Sequence, residues 1–189
     1  MSITPNNLDQ AAYNDYALAR NLPKTIIDYL FENSPEFWKL LKYSINPLSY
    51  ADLSADDKKN MICKSSFDTE TFNVLFQKFT SDAVIEAKTQ VRIYIDDITS
   101  YGRTNALARV KFQIIVNNKE MIINTPYSQV DKRDIAIAQT VVKTLNGITM
   151  PNTKSQMFIN FDIDRFSGAR EESFNDNYSG FVLVMDVWI

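Results

Sequence analysis

Two short pairs of acidic residues, Asp96-Asp97 and Asp162-x-Asp164, have the residue types needed for metal-assisted chemistry. Carboxylate oxygens are the ligands that Mg²⁺ prefers in proteins, and two such pairs could chelate one ion. Side chains two residues apart on a strand point to the same face, so Asp162 and Asp164 would point together. Acidic residues also commonly occupy solvent-exposed strand faces, where Lys or Arg balances their charge. We favour this second interpretation and predict no metal site.

A second pattern, Glu86-Ala87-Lys88, is typical of the triplet that restriction-type nucleases place beside a metal ion. In such an enzyme an upstream acid completes the site, and here Asp68 or Asp82 would have to serve. The triplet lies before a predicted strand instead of inside it, and three-residue matches arise easily by chance. A metal-dependent nuclease that uses Glu86, Lys88 and a nearby Asp is therefore the alternative hypothesis.

The chain contains one cysteine and no histidine. These counts exclude an intrachain disulfide, His-ligated zinc, and Ser-His-Asp or Cys-His nucleophilic chemistry within this sequence. Cys63, at the end of a predicted helix, is typical of a small buried apolar residue. The four glycines are far apart and form no phosphate-binding loop. We therefore predict that the protein is not an enzyme, and we assign no catalytic, cofactor-binding or metal-binding residue.

Four basic residues, Arg92, Arg103, Arg109 and Lys111, fall on two predicted strands and the turn between them. They could form a modest positive patch that makes sequence-independent contacts with DNA phosphates. Cross-strand ion pairs with Asp96 or Asp97 are an equally good interpretation. The formal net charge of −3 argues against attraction to DNA by bulk charge.

Three short helices are predicted near the beginning of the chain. The first spans Leu22–Asn33, with Pro23 suited to a first helical turn. Ser34, followed by Pro35 and Glu36, marks the start of the second helix. Ser54 caps the third. Their apolar faces need a partner surface, because short helices are marginally stable alone.

From Phe67 onward the apolar period changes to two residues, which predicts strands. Thr89–Ile98 and Ala108–Asn117 alternate most clearly. The other predicted strands are Phe72–Lys78, Lys119–Asn124, Phe158–Phe166 and Gly180–Ile189. The last of these is apolar on both faces, as a central strand would be. A strand at the end of a sequence can also leave a sheet edge that a neighbouring subunit covers.

One long helix, Asp131–Asn146, interrupts the strands and ends before Gly147. Its pattern predicts an apolar face, and it predicts that four polar side chains face solvent. The apolar positions are Ile135, Ala138, Val142 and Leu145, and the polar ones are Lys132, Arg133, Gln139 and Lys143.

The predicted fold class is α+β. An N-terminal helical segment precedes a mainly antiparallel sheet with one long helix packed across it, in the order β-β-β-α-β-β. We divide the chain into an extended N-terminal arm (1–21), a helical segment (22–66) and an α+β sandwich core (67–189). No stretch approaches the roughly 20 apolar residues of a membrane span, and the N-terminus does not resemble a signal peptide. We expect synthesis in the cytoplasm and no contact with a membrane.

Four segments carry a resemblance to structural proteins of tailed bacteriophages, of the head–tail connector or tail-completion kind. They are Leu22–Leu30 (LPKTIIDYL), Glu36–Tyr43 (EFWKLLKY), Gln90–Tyr94 (QVRIY) and Leu145–Gly147 (LNG). The β-β-α-β-β organisation is similar to folds of tail-terminator and neck-ring subunits. The resemblance implies a virion protein, made in the bacterial host cytoplasm, that forms a ring of identical subunits around a DNA channel.

The implied partners are further copies of the chain, neighbouring portal, neck or tail proteins, and DNA contacted without sequence preference. We expect the arm and three loops to grip neighbouring subunits. The loops are Tyr101–Asn105, Thr125–Asp131 and Ser167–Asn177. A monomeric phage adaptor or assembly chaperone is a further alternative to the ring.

Overall fold

The computed structural model of the 189-residue chain describes residues 7–64, 71–79, 89–101, 105–126, 128–159 and 169–189. The helices are α1 (Asn7–Asn33), α2 (Pro35–Lys42), α3 (Ala55–Met61) and α4 (Arg133–Leu145). The strands are β1 (Val74–Leu75), β2 (Thr89–Ser100), β3 (Ala106–Asn117), β4 (Ile122–Thr125), β5 (Ser128–Lys132), β6 (Phe158–Ile159), β7 (Ala169–Asn175) and β8 (Tyr178–Trp188). The predicted α+β class is confirmed.

Helix α1 is longer than the sequence predicts, because it begins at Asn7 and contains Pro23 in its interior. Residues 7–21, which we predicted as part of an extended arm, are therefore helical. A proline in a helix removes one backbone hydrogen bond, so the sequence alone favours a helix start at Pro23. Packing compensates for this loss, because Leu22, Pro23 and Ile26 are all buried.

The main sheet has the order β1-β2-β3-β8, and both β6 and β7 pair with the far side of β8. β1 runs parallel to β2, and the remaining pairs are antiparallel. β8 therefore lies inside the sheet, as its two apolar faces predict. The alternative expectation, that the last strand forms an open edge, is wrong.

Two predicted boundaries around β6 and β7 differ from the structure. The polar segment Ser167–Asn177, predicted as a loop, contains β7, which forms a hairpin with β8. The strand predicted for Phe158–Phe166 is described only as β6, and residues 160–166 lie outside the described part of the chain.

Strands β4 and β5 form a separate two-stranded hairpin. β4 overlaps the predicted strand Lys119–Asn124 and ends one residue beyond it, but it pairs with β5 instead of joining the main sheet. β5 occupies most of the predicted loop Thr125–Asp131. The hairpin leads directly into α4, so its position is tied to the start of that helix.

Helices α1, α2 and α4 cover one face of the main sheet, which we call the helical face. Alternate residues of β2, β3 and β8 point into this core, with Ile93, Phe112 and Met185 completely buried. Trp38 of α2 is also fully buried, and its indole N–H donates to the Leu30 carbonyl at 3.1 Å. Each large buried side chain stabilises the fold by about 1.5–3 kcal/mol. Phe37, the neighbour of Trp38 in α2, is fully buried as well.

The opposite face of the main sheet carries polar side chains, and we call it the polar face. Gln90, Arg92, Gln113 and Asp186 are buried there. Phe79, which follows β1, packs over the Arg92 guanidinium at 5.1 Å. Buried polar groups destabilise a fold unless they are hydrogen-bonded. The hydrogen-bond partners of these residues therefore determine whether their side chains are available to bind a ligand.

Candidate functional site

The acidic residues Asp96 and Asp97 are balanced by neighbours on the polar face. An Asp96 oxygen lies 2.8 Å from Lys111 Nζ, and Asp97 accepts a hydrogen bond from the Thr99 hydroxyl at 2.8 Å. A β-bulge between Ile95 and Asp97 separates the two carboxylates, which share no partner in these contacts. The predicted ion pair between Lys111 and Asp96 is confirmed. Asp162 and Asp164 lie outside the described residues.

The basic residues do not form a free positive patch on the described part of the sheet. Arg109 makes two hydrogen bonds to the carboxylate of buried Asp186, at 3.1 and 3.3 Å. These bonds raise the pKa of the Arg109 guanidinium above its usual value. We predicted a pair with Asp96 or Asp97 instead, so the partner of Arg109 is a correction. Arg103 lies outside the described residues.

Arg92 is buried and therefore cannot reach DNA from its present position. Its guanidinium donates to the Gln90 side-chain oxygen at 3.1 and 3.3 Å and to the Lys78 carbonyl at 3.4 Å. Burial lowers the pKa of this group. Arg92 acts here as a structural link between β2 and the segment that follows β1.

The remaining predicted sites give no reactive arrangement in the described residues. Cys63 is half-buried beside the start of β1, and its backbone N–H donates to the Val74 carbonyl at 2.9 Å. The nuclease residues Glu86 and Lys88, with the candidate acids Asp68 and Asp82, lie outside the described residues. In the described ranges, no three acidic or cysteine side chains lie close enough together to hold a metal ion.

Arg133, predicted to face solvent, is instead only 1% exposed. Its guanidinium donates to the carbonyls of Leu40 and Tyr43, each at 2.7 Å, and also to that of Ser44. A fourth bond reaches the Glu120 carbonyl at 2.9 Å. The side chain thus satisfies carbonyls at the C-terminal end of α2 and attaches them to the start of α4. Burial lowers the pKa of the Arg133 guanidinium.

Asp134, which the sequence analysis did not identify, is also only 1% exposed. Its Oδ1 accepts the Ile135 backbone N–H at 2.8 Å, while Oδ2 accepts no hydrogen bond from the described residues. Lys132 Nζ lies 3.9 Å from Oδ2 and makes its hydrogen bond to Glu171 instead, at 2.5 Å. Burial raises the pKa of the Asp134 carboxyl. No motif around Asp134 distinguishes it from an ordinary acid in a first helical turn, so only the structure identifies it.

The β4–β5 hairpin exposes two large apolar side chains, Ile122 at 59% and Val130 at 69%. Ile123, between Ile122 and Asn124, is buried, so the alternation along β4 places Ile122 on the outer side of the hairpin. Ile122 pairs with Lys132, and Val130 lies two residues earlier on the same strand face. We call Ile122 and Val130 the hairpin surface. Adjacent exposed apolar residues are typical of sites that contact another protein.

These features define a small α+β domain that is stabilised by buried arginine hydrogen bonds and presents an exposed apolar hairpin. The chain belongs to the YomW family, whose model matches residues 34–187, from the N-cap of α2 into β8. YomW is a phage-derived family, which indicates a phage origin for this protein. No curated protein matches the chain. Within the described residues, no helix is both long enough and apolar enough to cross a membrane.

Proposed function

We propose that this chain is a virion structural protein of a tailed bacteriophage, forming a ring in the portal–neck–tail connector through which DNA passes. Its membership of a phage-derived family supports the phage part of the proposal. The hairpin surface carries the assembly part, because Ile122 and Val130 are more than half exposed. Covering such side chains by a second subunit would remove apolar surface from water, which favours association.

A second surface suited to assembly is the outer side of β7. No strand among the described residues pairs with that side, and every β7 residue is at least partly exposed. An open strand edge presents unpaired backbone donors and acceptors to which another chain can add. Subunits in a closed ring contact each other through two different surfaces, and the hairpin surface and the β7 edge could provide them.

Any contact between the ring and DNA would have to use basic residues other than the three described on the polar face. Arg92 is buried, while Arg109 and Lys111 make ion pairs with acidic residues. Weak, sequence-independent phosphate contacts need several free Lys or Arg side chains. We therefore propose that protein–protein contacts, not attraction to DNA, drive assembly.

The native mass of the purified protein, measured by native mass spectrometry, tests assembly directly. We expect a closed oligomer, and we expect Val130→Asp to shift it toward monomer, because a charge in an apolar interface is costly. Asn21→Asp is the matched control, since it adds the same charge to an exposed position of α1 instead of the hairpin. A monomeric wild-type protein at high concentration, or equal effects of both variants, would count against the ring.

The nuclease alternative requires a separate assay, because its residues lie outside the described part of the chain. Purified protein is incubated with double-stranded DNA and Mg²⁺ or Mn²⁺, and Glu86→Gln serves as the variant. The structural proposal predicts no cleavage by either protein. Metal-dependent cleavage that Glu86→Gln abolishes would establish the nuclease instead.

A further inference from the structure

A polar cleft of about 210 Å³ lies between the start of α4 and the β7–β8 hairpin. The residues that line it include Lys132, Asp134, Glu171, Glu172, Ser173 and Ser179. We call it the Asp134 cleft. It is distinct from the hairpin surface and from the ion pairs on the polar face.

One carboxylate oxygen of Asp134 has no hydrogen-bond donor among the described residues. The backbone N–H of Ile135 donates to Oδ1, and Oδ2 accepts no hydrogen bond within the described residues. Oδ2 is directed toward Lys132, another lining residue, but the 3.9 Å separation is too long for a hydrogen bond. A buried carboxylate oxygen without a donor destabilises the fold, and this cost favours binding of a group that supplies one.

The charge of the Asp134 cleft determines which kind of ligand can supply this hydrogen-bond donor. Three of the lining residues, Asp134, Glu171 and Glu172, carry carboxylates, and one, Lys132, carries an ammonium group. The Lys132 ammonium donates a hydrogen bond to Glu171. Arg170 does not line the cleft, and its guanidinium makes a long ion pair of 3.8 Å with Glu172. The excess of negative charge favours a cationic ligand over an anionic or neutral one.

A metal ion fits the Asp134 cleft less well than an organic cation does. A divalent cation needs several oxygen ligands converging on one point, and no such group of three acids occurs in the described ranges. An ammonium or guanidinium group instead carries several N–H donors that can reach separated carboxylates. The cleft volume is sufficient for such a head group with part of its alkyl chain.

We propose that the Asp134 cleft binds a primary ammonium or guanidinium group, which donates hydrogen bonds to Asp134 Oδ2 and to Glu171. Lys132, whose side chain is 37% exposed, then turns toward solvent or shares Glu171 with the ligand. The same chemistry is available from a free small amine and from a Lys or Arg side chain of another copy of this chain. This inference does not depend on the ring proposal.

The test uses n-butylguanidinium and n-butylammonium as probes, titrated into isotope-labelled protein at pH 7 and followed by NMR. We expect saturable shifts at the amides of Ile135, Ser173 and Ser179. Tetramethylammonium carries the same charge but no N–H donor, so it should not bind. Asp134→Asn should weaken binding roughly tenfold, the loss expected for one charge-assisted hydrogen bond. Asp176→Asn, which removes an exposed acid outside the cleft, should leave it unchanged.

Three results would overturn the proposal. They are equal binding to wild type and Asp134→Asn, no shift at the cleft amides with either donor, and a crystal structure that shows an ordered water alone on Oδ2 at saturating probe. If circular dichroism shows that Asp134→Asn does not fold, Glu171→Gln takes its place with the same expected loss.

Native mass spectrometry with and without n-butylguanidinium distinguishes the two sources of the natural cation, a free amine and a side chain of another copy. If the probe dissociates an oligomer, the cation is a side chain of another copy. If the probe binds and the mass does not change, the cation is a free amine. Both results support the cleft, and a monomeric wild-type protein that still binds the probe would separate this inference from the ring proposal.

Discussion

At the residue scale, one side chain connects the start of α4 to two other parts of the backbone. Arg133 donates hydrogen bonds to carbonyls at the end of α2, to Ser44 in the following connection and to Glu120 before β4. Guanidinium is suited to this role because its five N–H donors form a rigid, planar array. The connection orients α2, α4 and the β4–β5 hairpin relative to one another.

Replacing Arg133 by Met should destabilise the protein by about 3 kcal/mol, because buried carbonyls lose their donors. Arg133→Lys should also destabilise it, since one ammonium cannot reach all four carbonyls. Urea denaturation measures the free energy of unfolding. Arg20→Met, at an exposed position of α1, is the control and should change it by less than about 0.5 kcal/mol. Equal unfolding midpoints for Arg133→Met and wild type would contradict this role.

The raised pKa of Asp134 predicts a pH-dependent loss of stability. An acid whose pKa is higher in the folded than in the unfolded state retains its proton longer when folded. Its stabilising contribution is complete below the unfolded pKa, near 3.8, and is lost as pH rises through the folded pKa. The charged groups that act on it are Lys132, which lowers its pKa, and Glu171, which raises it.

Asp134→Asn should therefore gain stability relative to wild type as pH rises from 4 to 7. Thermal unfolding of both proteins across this pH range measures the difference. Asp176→Asn controls for the loss of one negative charge and should show no such trend. A constant difference between Asp134→Asn and wild type at every pH would show that Asp134 does not titrate in this range.

At the element scale, Gly180 allows β8 to lie close to β3. A Cβ atom at this position would lie 1.9 Å from the Ile114 carbonyl oxygen, which is backbone and cannot move aside as a flexible side chain can. Gly147, just after α4, has a φ of 81° but open space around the position of a Cβ atom. A side chain at Gly180 would therefore clash with the backbone, whereas a side chain at Gly147 would only strain the backbone conformation.

Gly180→Ala should destabilise the protein by about 3 kcal/mol or more or prevent folding, because strands β3 and β8 must separate. Gly147→Ala should cost only about 1 kcal/mol, the usual penalty of a left-handed conformation for alanine. Soluble yield and thermal unfolding of both variants measure this order. A Gly180→Ala protein as stable as Gly147→Ala would contradict the close approach.

Strands with one buried face were predictable from the sequence, because their apolar residues alternate. A polar strand that is held by backbone hydrogen bonds was not predictable. β2 and β3 alternate because one face packs against the helices, so their positions are confirmed. β7 was not predicted because its sequence is polar and it is held by backbone pairing with β8, its one partner among the described strands. In α4, Ile137 and Val141 are buried, whereas the predicted apolar positions Ile135 and Val142 are only half-buried. The buried face is therefore displaced from the predicted stripe.

The candidate sites were less predictable than the fold. Periodicity placed Arg133 on the exposed side of α4, because a sequence pattern does not show that distant carbonyls need a donor. Asp134 resembles any acid in a first helical turn, and residues from β5, α4, β7 and β8 line the cleft beside it. Both sites depend on contacts between residues far apart in the chain.

At the scale of the whole molecule, the described structure combines a buried core with an apolar hairpin surface and an open strand edge. Helices α1, α2 and α4 cover the helical face of the sheet and enclose the core. Ile122 and Val130 are exposed, and no described strand pairs with the outer side of β7. This distribution is expected of a subunit that folds first and then assembles through its surface.

Quantitative mass spectrometry of purified particles is the most direct test of the proposal that this protein is a component of the phage particle. Particles of the phage that encodes the chain are separated from the lysate by density, and its copy number is compared with that of the other virion proteins. We expect a fixed number of copies per particle, equal to that of a closed ring. If the protein is abundant in the lysate but absent from purified particles, it is not a virion component and the proposed function is wrong.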